Sequence, residues 1–278
     1  MLTASIVIHR TPAHQIDKVL ECLLRSEVDR IFVIDNSPVE CDNPQLPEDM
    51  RIIYRRVENR GFGAGHNIAI KEILATSKYH LVLNADVWWE GDILGKLSAY
   101  MDEHPEVGMV APKVYYPDGD LQYTCRMLPT PYDLFAKRFL PARLTRRRME
   151  RYLLAEHDHN EQINCPYLLG SFLFFRVDRL KECGIFDERF FMYPEDIDIT
   201  RRIHEVCQTI YNPDVSIVHE HAAASRKDRR MLRIHLVNMI KYFNKWGWFY
   251  DPRRRYYNRH LRHSIIPVSP SARPSARG

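Results

Sequence analysis

Apolar residues along this chain follow two rhythms, short continuous runs and stripes spaced at three and four residues. The runs at 5–9, 31–34, 51–54 and 80–83 read as strands of a sheet covered on both faces. Between them, Ile16, Val19, Leu20, Leu23 and Leu24 mark one face of a helix over 15–25, and Ile68, Ile70, Ile73 and Leu74 mark another over 64–75. A third helix is predicted over 92–103, followed by strands at 107–114 and 171–176. Strand and helix alternate, so the pattern predicts an α/β fold with a mostly parallel sheet flanked by helices.

Two segments depart from the alternation. A basic, helical excursion is expected over 135–154, and Leu232, Leu236, Met239, Ile240 and Phe243 predict an amphipathic helix within 227–250 with aromatic residues beyond it. The tail from 266 onward is rich in Pro, Ser and Arg, cannot bury a core, and is expected to be disordered.

At 278 residues, 45% of them hydrophobic, the chain can form one large domain with a helical extension. Cys22, Cys41, Cys125, Cys165, Cys183 and Cys207 include no C-x-x-C pair, which suggests neither a zinc site nor a disulfide framework and fits a reducing cytosol. No signal peptide is recognisable, and no apolar run approaches the ~20 residues of a membrane span, so a cytoplasmic chain is expected, soluble or peripheral on the membrane's inner face. The net charge of +4 is concentrated in basic stretches at 137–151 and 226–262. These suit anionic lipid, nucleic acid or a phosphorylated acceptor as well as they suit a solvated helix face.

Candidate chemistry lies at the ends of the predicted strands, where open α/β sheets bind ligands. Asp35 and Asn36 close the second strand, and could meet a nucleotide or form an ordinary side-chain-bonded turn. Residues 59–67 carry Arg60, then Gly61, Gly63 and Gly65 at alternate positions, then Asn67 at the opening of a helix. Phosphate contact and close helix–sheet packing are equally good readings of that stretch. A dinucleotide fingerprint is disfavoured because His66 stands where its last glycine would be. Asn84-Ala85-Asp86 supplies one carboxylate, suited to a divalent cation that takes its other ligands from phosphates and water, or to capping the next helix. Residues 183–198 set an aromatic wall against Glu195, Asp196 and Asp198. Apolar surroundings and adjacent like charges would raise a carboxylate toward the range of a general base, although acids also favour a helix N-terminus. His219 and His221 follow another strand-like stretch at 215–218, as metal ligands or as exposed imidazoles.

Taken in order, Asp35-Asn36-Ser37, the stretch 59–67, Asn84-Ala85-Asp86, Gly170-Ser171, Phe186-Asp187-Glu188, the acidic stretch 195–198 and His219 resemble an inverting family-two glycosyltransferase of the GT-A fold, in its rhamnosyltransferase-like branch. The resemblance spans roughly residues 3 to 250 and implies a Rossmann-like nucleotide-binding sheet. It divides the chain into a catalytic domain at 1–225, with a nucleotide-binding half to about 115 and an acceptor half at 116–225, a basic helical extension at 226–262 and a tail at 263–278.

The resemblance also implies residue roles. Asp35 would contact the pyrimidine base, and Asn36, Arg60, Gly61, Gly63, Gly65 and Asn67 would bind the nucleotide sugar. Asn84 and Asp86 would bind the nucleotide sugar, with Asp86 and His219 holding Mg2+ or Mn2+. Gly170 and Ser171 would floor the acceptor site, Glu195 would orient the acceptor, and Asp196 would be the catalytic base. The implied donor is a dTDP- or UDP-sugar, with rhamnose first. The implied acceptor is a glycan or lipid-linked glycan of bacterial surface polysaccharide or cell wall, met at an anionic membrane, with no nucleic acid partner. In two places the chain departs from the family pattern: Asn84 replaces a common Asp, and His9-Arg10 stand where relatives carry Tyr-Asn. A sugar-phosphate nucleotidyltransferase is the alternative within the fold, but residues 8–12 lack its glycine-rich basic loop. A non-catalytic basic protein bound to membrane or nucleic acid would have no use for Asp86, Glu195 and Asp196.

Overall fold

The computed structural model describes residues 1–133, 141–220, 229–261 and 265–266. The first half alternates as its pattern predicts: β1 (Leu2–Ile8), α1 (Ala13–Arg25), β2 (Arg30–Asp35), β3 (Ile52–Arg56), α2 (Phe62–Ile73), β4 (Tyr79–Leu83), β5 (Val87–Trp88), α3 (Ile93–Glu103) and β6 (Val107–Tyr115). Every residue of β4 is buried, in keeping with a central strand covered on both faces. The side chain of Asp92 starts α3 by accepting the Gly95 backbone N–H at 2.9 Å.

The second half continues with β7 (Leu121–Gln122), β8 (Cys125–Arg126), α4 (Ala142–Tyr152), β9 (Gln162–Asn164), β10 (Tyr167–Leu168), β11 (Phe172–Arg176), α5 (Val177–Cys183), α6 (Glu195–His204), β12 (Gln208–His219), α7 (Arg229–Trp246), α8 (Pro252–His260) and β13 (Ile265–Ile266). The central sheet is mixed and mostly parallel, in the order β13-β9-β12-β6-β11-β4-β1-β2-β3. Strands β3, β2, β1 and β4 run parallel to one another, β6 runs parallel to β12, and β11 lies antiparallel between β4 and β6. The chain moves outward from β1 to β3 and then returns to β4, so the order reverses at β1. Such a switch point leaves a crevice beyond the carboxyl ends of the strands. His9, Asp35 and Asn84 stand at that edge, after β1, at the end of β2 and after β4.

Beneath the crevice the sheet carries a buried polar chain. His80 Nδ1 lies 2.8 Å from Thr3 Oγ1, His80 Nε2 lies 2.9 Å from Ser5 Oγ, and Ser5 Oγ lies 2.7 Å from His66 Nδ1. Burial pushes His80 down to about 3 and His66 well below its ordinary value, so both rings are neutral. His66 therefore anchors α2 to β1.

The C-terminal helices are built into the molecule. Tyr242 and Phe243 of α7 share one buried cluster with Leu128, Tyr152, Tyr167, Phe190 and Ile197, so α7 packs directly against α6. Of the segments read from sequence, 135–140 of the basic excursion, the first residues of the predicted C-terminal helix at 227–228, His221 and most of the tail, 267–278, lie outside the described residues. Residues 265–266, counted in sequence within the tail, pair with β9.

Candidate active site

Three elements converge beyond β4. Asn84 and Asp86 follow β4, His219 ends β12, and β5 pairs with the end of β12 so that His219 lies opposite Val87. His219 Nε2 lies 3.3 Å from Asp86 Oδ1 and 3.3 Å from Asn84 Nδ2. The ring's other nitrogen is fixed by Gln122 of β7: the Gln122 amide donates to the His219 carbonyl at 2.6 Å, which leaves its Oε1 to accept from His219 Nδ1 at 3.0 Å. A protonated Nδ1 turns the Nε2 lone pair toward Asp86. A lone pair facing a carboxylate oxygen suits a cation, and neighbouring ligands of an octahedral Mg2+ stand about 3 Å apart. Asp86 and His219 therefore fit a divalent ion that completes its shell with phosphates and water. Among the described residues no group of three or more His, Cys, Asp and Glu forms a fuller protein shell.

A backbone bridge ties this corner to the acidic pair. The Asn84 N–H donates to Ser171 O at 3.0 Å, and the adjacent Gly170 N–H donates to Asp196 Oδ2 at 3.0 Å. A side chain at 170 would meet Asp196 Cβ at 3.1 Å, so glycine allows the close approach. Asp196 Oδ1 also accepts the Ile197 N–H at 2.7 Å. Glu195 is equally buried, and its Oε2 has no hydrogen-bond partner among the described residues. Burial raises Asp196 to about 6, against the lowering effect of its two backbone donors and of Arg126. Burial and then the Asp196 charge drive Glu195 well above its ordinary value. Both carboxyls are thus pushed upward, Glu195 the further of the two, so Asp196 is the one that gives up its proton first as pH rises.

The segment before the pair is held in an unusual backbone. Tyr193 has φ of 90°, a conformation costly for a residue with a side chain, and its ring lies 4.8 Å from His235. Asn238 of α7 fixes the preceding Met192 carbonyl at 3.0 Å.

On the nucleotide side, Asp35 is buried, and burial alone would raise its carboxyl. Donors from Ser37, Arg56 and Tyr54 outweigh that and hold it below the usual range. Its Oδ2 accepts from Tyr54 and Arg56, each at 2.8 Å, and its Oδ1 accepts the Ser37 N–H at 2.8 Å. Asn36 is buried beside it, and its carbonyl accepts from His9 Nδ1 at 2.8 Å. Asp35 thus braces the crevice wall formed by Tyr54 and Arg56.

The structure shows what the glycine-rich stretch packs against. Side chains at Gly63 and Gly65 would stand 2.8 Å from Phe186 Cβ and 2.8 Å from a Val7 methyl carbon. Asn67 has its amide taken up by the Phe186 backbone, at 2.9 and 3.0 Å, and by Glu188 at 2.9 Å. Gly61 has φ of 105° and passes against Phe191, whose carbonyl accepts the Phe62 N–H at 3.0 Å. Arg60 is exposed and pairs with Glu58 at 2.9 Å. Gly61, Gly63 and Asn67 thus dock α2 onto the loop that leads to Glu195, and Gly65 docks it onto β1, as the close-packing alternative expects.

Sequence reading missed Gln122, which orients His219, and Arg126, whose charge acts on Asp196 from the end of β8. A lone Gln and one Arg among 40 basic residues carry no recognisable spacing, so no sequence signal marked them.

Comparison with known proteins places this geometry. The family model "Glycosyl transferase family 2" matches residues 5–184. The N-acetylglucosaminyl-diphospho-decaprenol L-rhamnosyltransferase of Mycobacterium tuberculosis is 28% identical over 155 residues, covering 53% of this chain and 48% of that protein. The match thus spans about half the length of that curated relative. Among solved structures, GalNAc-T7 with UDP, GalNAc and Mn2+ superposes with a TM-score of 0.58 at 14% identity, over 79% of this chain and 43% of that one. The mannosyltransferase PcManGT of Pyrobaculum calidifontis, in complex with GDP-Man and Mn2+, gives 0.54 at 16% identity, over 88% and 63%. TarS of S. aureus gives 0.54 at 13% identity, over 95% and 44%. These structural likenesses bear on the fold, which is that of GT-A glycosyltransferases.

Proposed function

Because this chain belongs to glycosyl transferase family 2, we propose that it transfers a sugar, rhamnose in the first instance, from a dTDP- or UDP-sugar to a hydroxyl of a lipid-linked glycan in cell-wall or surface-polysaccharide synthesis. The choice of rhamnose and of a lipid-diphosphate acceptor rests on the mycobacterial relative, which is named for both. Among the described residues no helix is long and apolar enough to cross a membrane. Contact with such an acceptor would therefore be made from the membrane surface, through the basic stretches.

The observation that carries the reading is the buried Glu195–Asp196 pair, joined by Gly170 and Ser171 to the corner that holds Asp86 and His219. Asp196, the first of the pair to ionise, accepts the proton of the acceptor hydroxyl. The acceptor oxygen forms its bond to the anomeric carbon on the face opposite the leaving group. The anomeric carbon–oxygen bond breaks, and its electron pair leaves with the nucleoside diphosphate, so configuration is inverted. Glu195, whose carboxyl is pushed higher, can donate a hydrogen bond that orients the acceptor while Asp196 takes the proton. A divalent cation held by Asp86 and His219 would supply positive charge to the departing diphosphate. Asp35, Tyr54 and Arg56 form the wall against which the base would lie, and the 186–194 loop, docked on α2, positions the acidic pair.

The test is donor turnover by purified protein, with dTDP-rhamnose and UDP-sugars compared, with and without Mn2+, and with a lipid-linked diphosphate sugar as acceptor. Metal-stimulated release of nucleoside diphosphate, with sugar appearing on the acceptor, is the expected result. No release from any donor under these conditions would overturn the reading.

A further inference from the structure

A cavity of about 630 Å³ lies between α4 and α8, away from the corner that holds Asp86 and His219. Arg147, Arg148 and Arg151 of α4 line one side of it, and Arg255 and Arg259 of α8 the other. Asp133 is the one carboxylate in the lining, and Arg148 already occupies it, with Nε 2.6 Å from Oδ1. Among the described residues, Arg147, Arg151, Arg255 and Arg259 pair with no carboxylate. Four like charges around one concavity repel each other, and what relieves that repulsion is an anion with several oxygens. Guanidinium groups bind phosphate oxygens through two parallel N–H bonds, so a wall of arginines fits a phosphorylated ligand better than scattered lysines would.

The cavity also has a direction. Tyr152 lines it and is buried. It belongs to one buried cluster with Tyr167 and with Ile197, the residue that follows Asp196. Tyr152 thus joins the arginine cavity to the cluster next to the acidic pair. An acceptor reaching Asp196 with its sugar hydroxyl would have its anionic end on the arginine side.

We propose that this cavity is a subsite for the diphosphate of the acceptor, an inference that rests on the glycosyl transfer proposed above. The arginines hold the diphosphate, and the attached sugar extends past Tyr152 toward Asp196. The nucleotide's own diphosphate belongs at the Asp86 corner and would not need the cavity.

Inorganic pyrophosphate is the probe, titrated calorimetrically into the full chain in metal-free buffer. Arg151, Arg255 and Arg259 are exposed, so replacing all three with Gln leaves the core untouched. The triple variant is expected to bind pyrophosphate at least about tenfold more weakly, with Asp86→Ala binding it as the wild type does. The same triple variant should raise KM for a lipid-diphosphate acceptor while metal-dependent donor hydrolysis is unchanged. That hydrolysis separates failure of this inference from failure of the glycosyl-transfer reading. Equal pyrophosphate affinity in wild type and triple variant would overturn the subsite. So would loss of pyrophosphate binding in Asp86→Ala alone, which would assign the probe to the donor site. Cosedimentation with phosphatidylglycerol vesicles distinguishes a lipid headgroup: vesicle binding lost in the triple variant with pyrophosphate affinity intact would make the arginines a membrane patch and overturn the proposal. Should the Gln variant melt early, replacement of the same three arginines with Lys keeps the charge, removes the fork, and is expected to weaken pyrophosphate binding more than vesicle binding. Equal pyrophosphate affinity in the Lys and wild-type proteins would again overturn it.

Discussion

Arg201 and Asp251 form a bidentate ion pair in the interior, with contacts of 2.7 and 2.8 Å and side-chain exposures of 1% and 3%. Arg201 lies on the helix that begins with Glu195 and Asp196, and Asp251 caps α8 by accepting the Arg254 N–H at 2.9 Å. Trp246 covers the guanidinium at 3.9 Å. Nearby, Asp198 of the same helix accepts from Arg202, Lys245 and the Trp246 indole. The acidic helix is therefore held from behind by the C-terminal helices, which makes the extension part of the scaffold of the candidate active site.

Asp251→Ala removes one partner of this buried pair and the helix cap with it, so we expect a loss of about 3–5 kcal/mol, measured by urea unfolding. Burial raises the Asp251 carboxyl, but its bonds to Arg201 and Arg254 outweigh that and hold it below its ordinary value. The pair's contribution should thus be present above the unfolded carboxyl's pKa of about 4 and vanish as pH falls through the lower folded value. A change under about 1 kcal/mol, the range of surface pairs, would contradict the structural role.

Asp196→Asn should keep nucleoside diphosphate binding and lower turnover by about 10²-fold or more, because only the proton acceptor is lost. In the wild type, burial lifts this carboxyl to about 6. The rate should accordingly rise with pH through that value as Asp196 ionises. The sign for stability is the reverse, since a raised carboxyl binds its proton more tightly when folded. The group's contribution is full below about 4 and is lost as pH climbs through 6. A pH–rate profile flat from 5 to 7 would exclude Asp196 as the base whose ionisation controls the rate.

Asp86→Ala and His219→Ala should each weaken Mn2+-dependent binding of the nucleoside diphosphate, since each removes one of the two side chains placed to share the ion. Gln122→Ala should weaken it less, about tenfold, by freeing the His219 ring to change tautomer. Calorimetry with and without Mn2+ reads all three. Equal affinity of wild type and His219→Ala would leave Asp86 to hold the ion without the imidazole.

What could be read from the chain divides along physical lines. Helices such as α1 and central strands such as β4 were legible because burial imposes a stripe or an unbroken apolar run on five or more residues. Two-residue strands such as β7 and β8 carry no period, so the elements that bring Gln122 and Arg126 to the site were invisible. Glu195, Asp196 and Asp86 stood out because carboxylates after apolar strands or among aromatics are chemically conspicuous. Their partners were not, since the Gln122–His219 contact spans 97 positions and Arg201–Asp251 spans 50. The glycine-rich stretch shows the same limit. Its sequence says only that something comes close, and whether that is phosphate or Phe186 depends on chain more than a hundred residues away.

Gly61→Ala separates those two readings. A Cβ at Gly61 would fall 2.1 Å from the Phe191 carbonyl oxygen, a backbone atom that can retreat only by moving the loop leading to Glu195. The φ of 105° adds a conformational penalty for any L residue with a side chain. We expect the variant to lose about 1–3 kcal/mol of stability in urea unfolding, the scale of a residue forced into a sparsely populated backbone region. Turnover should fall as well, because displacement of the 186–194 loop misplaces the acidic pair, whereas nucleoside diphosphate affinity in Mn2+ should change by less than about threefold. The opposite pattern, unchanged stability with a large loss of nucleotide affinity, would show that Gly61 approaches the nucleotide itself and would return the stretch to the role of a phosphate loop.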